Sequence, residues 1–185
     1  MKFICMLLIF VCLPVSAENS LLEVLSNKAK SIESFSGTFI QQRKITVLPL
    51  PLISAGEFSY HYQTGMVWHT LKPIQSKIYI TDQHIQTENI ESTSHAAGST
   101  QLAKTLLGLF SGDFQSLSKQ FNIEVKGDNS QWHLHLTPKN QLVANQIKFI
   151  DIRGKETTES VAIADANGDH TDLVFTTHKL ALIRN

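Results

Sequence analysis

Gly56-Glu57-Phe58-Ser59-Tyr60-His61-Tyr62, the turn Gln63-Thr64-Gly65 and then Met66-Val67-Trp68-His69-Thr70 form the stretch that decides the fold class. Phe58, Tyr60 and Tyr62 alternate with Glu57, Ser59 and His61, which is the period of a strand with one aromatic and one wet face. The glycine-bearing turn feeds straight into a second run of strand character, so the two runs are expected to pair antiparallel. After Pro73, Ser76 to Thr81 sets Ile78 and Ile80 on a common face and extends the meander.

Toward the N-terminus, Leu21, Leu22, Val24, Leu25, Ala29 and Ile32 recur at helical spacing and predict an amphipathic helix from Ser20 to Ile32. Ser34-Phe35-Ser36-Gly37 is expected to end it, with a strand from Thr38 to Lys44. Toward the C-terminus, Asn89 to Thr100 lacks any apolar period and predicts a long surface connection. A helix is expected over Gln101 to Phe110, and Asp113 is placed to cap a second, short one carrying Phe114 and Leu117. Strands follow at Phe121 to Lys126, Gln131 to Thr137, Gln146 to Arg153, Glu159 to Asp165 and Thr171 to Thr177. Gly127-Asp128-Asn129 and Asn167-Gly168 mark hairpins between them. The order is that of an α+β domain, an antiparallel sheet covered on one side by helices.

The chain opens with Lys2, an apolar run from Phe3 to Leu13 and the small-residue close Val15-Ser16-Ala17, the pattern of a secretory signal peptide cleaved after Ala17. Val11 ahead of Cys12 speaks against lipid attachment at that cysteine. Residues 1–17 are therefore expected to be removed and 18–185 to form a single exported domain. Both cysteines, Cys5 and Cys12, lie in the leader, so the exported part has no thiol for disulfide or thiolate chemistry. Loss of Lys2 leaves 15 basic against 16 acidic residues, a formal charge of −1. The basic residues are scattered, and no clustered positive face is available for nucleic acid.

Catalytic signatures are not found. His133 and His135 share one face of a strand while Trp132, Leu134 and Leu136 take the other; a solvated histidine face is favoured over metal binding because no third ligand is near in sequence. Asp165, Asn167 and Asp169 imitate the start of a calcium loop, but His170 and Thr176 stand where glycine and glutamate are needed. No nucleophile elbow, phosphate loop or dinucleotide fingerprint occurs. Neither an enzyme, nor a cofactor, nor a metal is expected.

Phe35-Ser36-Gly37-Thr38-Phe39 with Gln41, Ser54-Ala55-Gly56-Glu57-Phe58, Val67-Trp68 ahead of Pro73, the leucine-rich helix around Leu106 and Leu107, Trp132 to Lys139, and Asp165 before the last strand together resemble the LolA outer-membrane lipoprotein carrier family across nearly the whole exported chain. The resemblance implies an open, strongly curved antiparallel β half-barrel closed by helices around an apolar cavity. It implies a monomeric periplasmic carrier that takes the acyl chain of a lipoprotein or lipid from an inner-membrane donor to an outer-membrane acceptor. The family's Arg-Pro pair before the tryptophan strand is replaced by Gln63-Thr64-Gly65-Met66, so its arginine latch is not carried over. The chain ends soon after Phe175-Thr176-Thr177, so the family's extra C-terminal segment is not expected. The Leu48-Pro49-Leu50-Pro51-Leu52 run is similar to LolA-like proteins that accompany fatty-acid and aryl-polyene synthesis.

A cavity for an acyl tail needs a concave apolar wall, and each buried methylene contributes roughly 0.8 kcal/mol. Phe58, Tyr60, Trp68, Ile78, Ile80, Leu106, Leu107, Phe110, Trp132, Leu134 and Leu136 are the candidate lining, with plain core packing as the alternative for each. Leu48, Leu50 and Leu52 are the candidate entry rim, where cargo enters or a donor docks. The helix over Leu102 to Phe110 is the candidate lid. A rival reading is an interaction protein that holds a membrane partner or polypeptide on the half-barrel and never shuttles.

Overall fold

The computed structural model describes residues 17–88 and 96–184; residues 1–16 of the expected leader and part of the Asn89 to Thr100 connection lie outside them. Helix α1 (Ala17–Lys30) precedes a first meander: β1 (Ile32–Lys44), β2 (Leu52–His61), β3 (Gly65–Lys72), β4 (Ser76–Ile80) and the short β5 (Ile85–Thr87). Helices α2 (Ala96–Phe110) and α3 (Phe114–Gln120) lead to a second: β6 (Phe121–Gly127), β7 (Trp132–Pro138), the single turn α4 (Gln141–Ala144), β8 (Ile147–Gly154), β9 (Thr158–Asp165) and β10 (His170–Leu182).

All ten strands form one open, curved antiparallel sheet in the order β5-β4-β3-β2-β1-β10-β9-β8-β7-β6. The first and last strands are the central pair, matched from Ile32↔Leu182 to Lys44↔His170, and the two meanders spread from that seam. Register shifts interrupt β1/β10, β2/β3 and β8/β9, each adding local twist and bending the sheet. Helices α1 and α3 lie over β6, and α2 over β4, so all three cover the same face.

Several boundaries differ from the sequence expectation, each for a physical reason. Ser34 to Gly37 does not end a helix. It belongs to β1, where Phe35, Gly37 and Phe39 alternate inward, because an extended strand is the only conformation that buries both rings on one face. The two prolines at 49 and 51 stay in the β1–β2 loop, while Leu52 and Ile53 already pair with Arg43 and Gln42. Helix α2 begins at Ala96, inside the expected connection, where Ala96-Ala97 favours helix without giving an apolar period. Strand β10 runs to Leu182, five residues past the expected end, because β1 offers it a partner that far. Asp113 caps α3 as expected, its carboxylate accepting from the Ser116 amide at 3.0 Å.

Candidate functional site: the concave apolar face and its covering helix

Alternation places one side chain in two on the concave face, and most of these are large and apolar. On β2 and β3 the inward row is Phe58, Tyr60, Met66 and Trp68; on β7, Trp132, Leu134 and Leu136. Gly56 has a specific task in this wall. It lies opposite Phe39, and a Cβ there would stand 2.0 Å from the His69 carbonyl oxygen and 2.9 Å from the Phe39 ring. The bare backbone lets Phe39 lie across the strand and stack on Trp68, with ring centroids 3.8 Å apart.

Helix α2 places one ring, Phe110, into this wall. Phe110 is 4.8 Å from Phe35, 5.9 Å from Phe58, 6.2 Å from Tyr60 and 5.9 Å from Phe175, mostly in edge contacts. Such pairs add to area burial, by about 0.5–1.5 kcal/mol each. Just beyond Phe110 the chain turns at Gly112, whose positive φ of 69° suits glycine, and Ser26 of α1 donates to the Gly112 carbonyl at 2.7 Å. The C-terminal end of α2 is thus pinned to both the sheet and α1. Burial raises the Tyr60 phenol above its ordinary pKa, and the negative charge of Asp82 raises it further.

The predicted lining residues fall into two groups. Phe58, Tyr60, Trp68, Ile78 and Ile80 occupy the β2–β4 wall, with Leu106, Leu107 and Phe110 on the helix that covers it; all are buried except the half-buried Ile78. Trp132, Leu134 and Leu136 lie in the other half of the sheet, packed with Val125, Ile150 and Ile152 on neighbouring strands. Where the two groups meet, a cavity of about 30 Å³ is lined by Leu25, Ile32, Phe35, Leu109, Phe110 and Trp132, among others. That is room for a water molecule and not for an acyl tail. Trp132 closes one side, its indole donating to the Lys155 carbonyl at 2.8 Å.

Phe35, Phe39 and Phe175 complete the aromatic cluster and were absent from the predicted lining. Phe175 was detectable, since Leu173 and Phe175 alternate with the exposed Asp172 and Val174.

The predicted entry rim is elsewhere. Leu48 and Leu50 are exposed in the β1–β2 loop and Leu52 is exposed at the first position of β2. The small cavity adjoins the start of β1, and this loop follows its end, roughly 30 Å away along the strand. The loop is held in place by Asp169, whose Oδ1 accepts from the Thr46 amide at 3.0 Å and its hydroxyl at 3.3 Å. The Thr46 amide bond leads the causes that hold the Asp169 carboxyl below its ordinary pKa. Arg43 joins Asp169 at 3.5 Å and Asp165 at 3.7 Å.

On the outer face, His133 and His135 both meet one oxygen of Asp151, at 2.6 and 3.0 Å. Asp151 supplies the neighbour that was not evident in sequence, because the β7/β8 register sets it opposite His135. Burial pushes the Asp151 pKa up, but hydrogen bonds from His135 and His133, and their charge, outweigh it and lower the pKa. Among the described residues, no three His, Cys, Asp or Glu side chains are arranged to hold a metal ion.

The sequence matches the family model described as "Outer membrane lipoprotein carrier protein LolA" over residues 30–181. Among solved structures, MucB is similar with 16% identity and a TM-score of 0.56, the match covering 92% of this chain and 62% of that one. The Pseudomonas aeruginosa MucA/MucB complex gives 12% identity, a TM-score of 0.50, and coverage of 91% and 64%. A LolA superfamily protein from Nitrosomonas europaea gives 9%, 0.41, 89% and 94%. The chain spans less than two thirds of the MucB chains, and at these identities the likeness is one of fold. No curated protein matches.

Proposed function

The chain belongs to the LolA outer membrane lipoprotein carrier family, and from that premise we propose that it is a periplasmic carrier which shelters an acyl chain between its concave sheet and α2, without chemistry on the cargo. The leader, residues 1–17, would direct export, and residues 18–185 would form the single carrier domain. The cargo, a lipoprotein or another lipid, would be received from an inner-membrane donor and passed to an outer-membrane acceptor.

One observation carries the proposal: the apolar wall of β2–β4 is roofed by a helix whose buried side chains, Thr105 apart, are apolar and which ends at the glycine turn of Gly112. A helix that ends in a glycine turn can pivot about it. Lifting it about the Gly112 turn would withdraw Phe110 from its ring cluster and leave Leu106, Leu107, Ile80 and Trp68 facing a cleft, and the conformation described here is the closed one. A long acyl chain entering that cleft gains on the order of 10 kcal/mol from burial, enough to offset the contacts α2 gives up.

The test is native mass spectrometry and lipid extraction of protein purified from a periplasm without detergent. Acyl-bearing species are expected on the wild type and their loss on Leu107→Glu, with circular dichroism confirming the fold. A folded wild type that is always empty would end the carrier reading.

A second reading is favoured by the edge of β10. That strand pairs with β1 through Leu182 but with β9 only up to Val174. Among the described residues no strand pairs with the outer edge of its last eight positions, where an extended polypeptide could add. A stoichiometric protein complex without lipid would favour this non-shuttling binder.

A further inference from the structure

We propose that the β1–β2 loop and the outer-face patch beside it form a docking surface for an anionic lipid bilayer. From Ile45 to Gly56 the chain carries no charge. Its large apolar side chains are turned outward: Val47 is 86% exposed, Leu50 75% and Ile53 60%. The surface does not stop at the loop. Pairing of Ile40 with Ala55 and Val174 puts Ile40 (57% exposed) and Val174 (55%) on the same convex face as Ile53. Ala55 pairs with Lys72, so the β3–β4 turn brings Ile74, 77% exposed, to the same end of the sheet.

Six large apolar residues on one contiguous surface exceed the scattered exposure of ordinary soluble domains. Their setting selects the occupant. Lys44 and Lys72 are exposed at the bases of the two turns, and Arg43 stands behind them with its charge engaged by Asp165 and Asp169. Of the acids on this face, Asp172 is met by His170 at 3.3 Å, and Glu57 lies farther from the loop, opposite His69 in the ladder. An apolar tip with cations at its base is the arrangement that enters the headgroup region of a negatively charged leaflet. The loop is also posed for it. Pro49 and Pro51 restrict its backbone, the Leu48 amide donates to the Ile45 carbonyl at 3.0 Å, and Thr46 is tied to Asp169. A stiff tip spends little conformational entropy on insertion.

This inference does not need the α2 cleft to open, so its test is separable from that of the carrier. Protein stripped of acyl ligand is floated with vesicles of phosphatidylglycerol and phosphatidylethanolamine, or of phosphatidylcholine alone. The wild type is expected to bind the anionic vesicles at low salt and much less to phosphatidylcholine. Leu50→Glu with Ile74→Glu is expected to lower the vesicle-bound fraction by about 100-fold, the loss of two inserted side chains. Lys44→Gln with Lys72→Gln should lower it about 10-fold and flatten the salt dependence. All four positions are exposed, so unchanged melting temperatures verify the fold. Absence of wild-type binding, or equal binding by L50E/I74E, overturns the proposal. So does a concentration-dependent dimer that L50E/I74E abolishes while vesicles are ignored, since the occupant would then be a second copy. A Leu107→Glu protein that is empty yet binds vesicles normally would separate docking from cargo holding.

Discussion

Removing the Phe110 ring tests whether α2 is a lid or simply part of the core. Phe110 is 3% exposed and touches four rings, so Phe110→Ala removes a fully buried aromatic side chain, a change that costs about 3–5 kcal/mol. Where that cost appears depends on how α2 is coupled to the rest. If the helix opens on its own, the closed form alone loses the 3–5 kcal/mol, and the amides of α2 should exchange roughly 150- to 5,000-fold faster. Core amides on β8 and β9, whose Ile150, Ile152 and Val161 are essentially buried, should change far less. The sheet would keep its own contacts while the helix lifts. If α2 unfolds only with the whole domain, every protected amide shifts by the same free energy, and the melting temperature falls by about 8–16 °C. Hydrogen exchange read by mass spectrometry at the level of peptides, on wild type and F110A, distinguishes the two. Equal free energies of exchange for α2 and β8–β9 in both proteins would refute the pivoting helix and, with it, the entry route proposed for cargo.

Other consequences follow from single contacts. Asp151 has a lowered folded-state pKa, so its two histidine bonds contribute stability that is present above the unfolded carboxylate value of about 3.9 and is lost as pH falls through that region toward the folded value. Asp151→Asn should flatten the acid limb of a stability profile measured by urea melts between about pH 2 and 6; an unchanged slope would contradict the assignment. Gly56→Ala places a Cβ 2.0 Å from the His69 carbonyl and should weaken the fold by about 1–3 kcal/mol while disturbing the Phe39–Trp68 stack. Urea titration reads the first and near-ultraviolet circular dichroism the second, and a wild-type spectrum with wild-type stability would show that the wall tolerates a side chain there.

What the sequence made legible was periodicity, and its failures are those of local signals against long-range ones. Phe58, Tyr60, Trp132, Leu134 and Leu136 alternate cleanly with polar neighbours, and their strands and inward faces were readable. Ser34 to Gly37 carries the same alternation, but serine and glycine before a β-branched run imitate a helix stop, and it is pairing with residues 58–61 of β2 on one side and 177–181 of β10 on the other that makes the segment a strand. β5 is three residues long and too short for any period. The single turn α4 did leave a trace: Asn140 is its cap, accepting from the Val143 amide at 3.0 Å. The seam of β1 with β10 joins residues more than a hundred positions apart, and nothing local announces it.

The same distinction explains why the candidate site was half legible. Which face a side chain takes follows from parity, so the inward set could be named. Whether an inward side chain borders a hollow or fills it depends on the position of α2, a rigid-body variable carried by Phe110 and the turn at Gly112 rather than by the residues of the wall. Trp68 and Ile80 are core with the helix down, and on the proposed opening they would become lining with no change in sequence or strand register. The outward residues of the β1–β2 loop carry no such ambiguity. No element covers Leu50 or Val47 among the described residues, so a uniform leucine-proline run that reads as an awkward edge in sequence is, in the fold, a surface already presented to solvent.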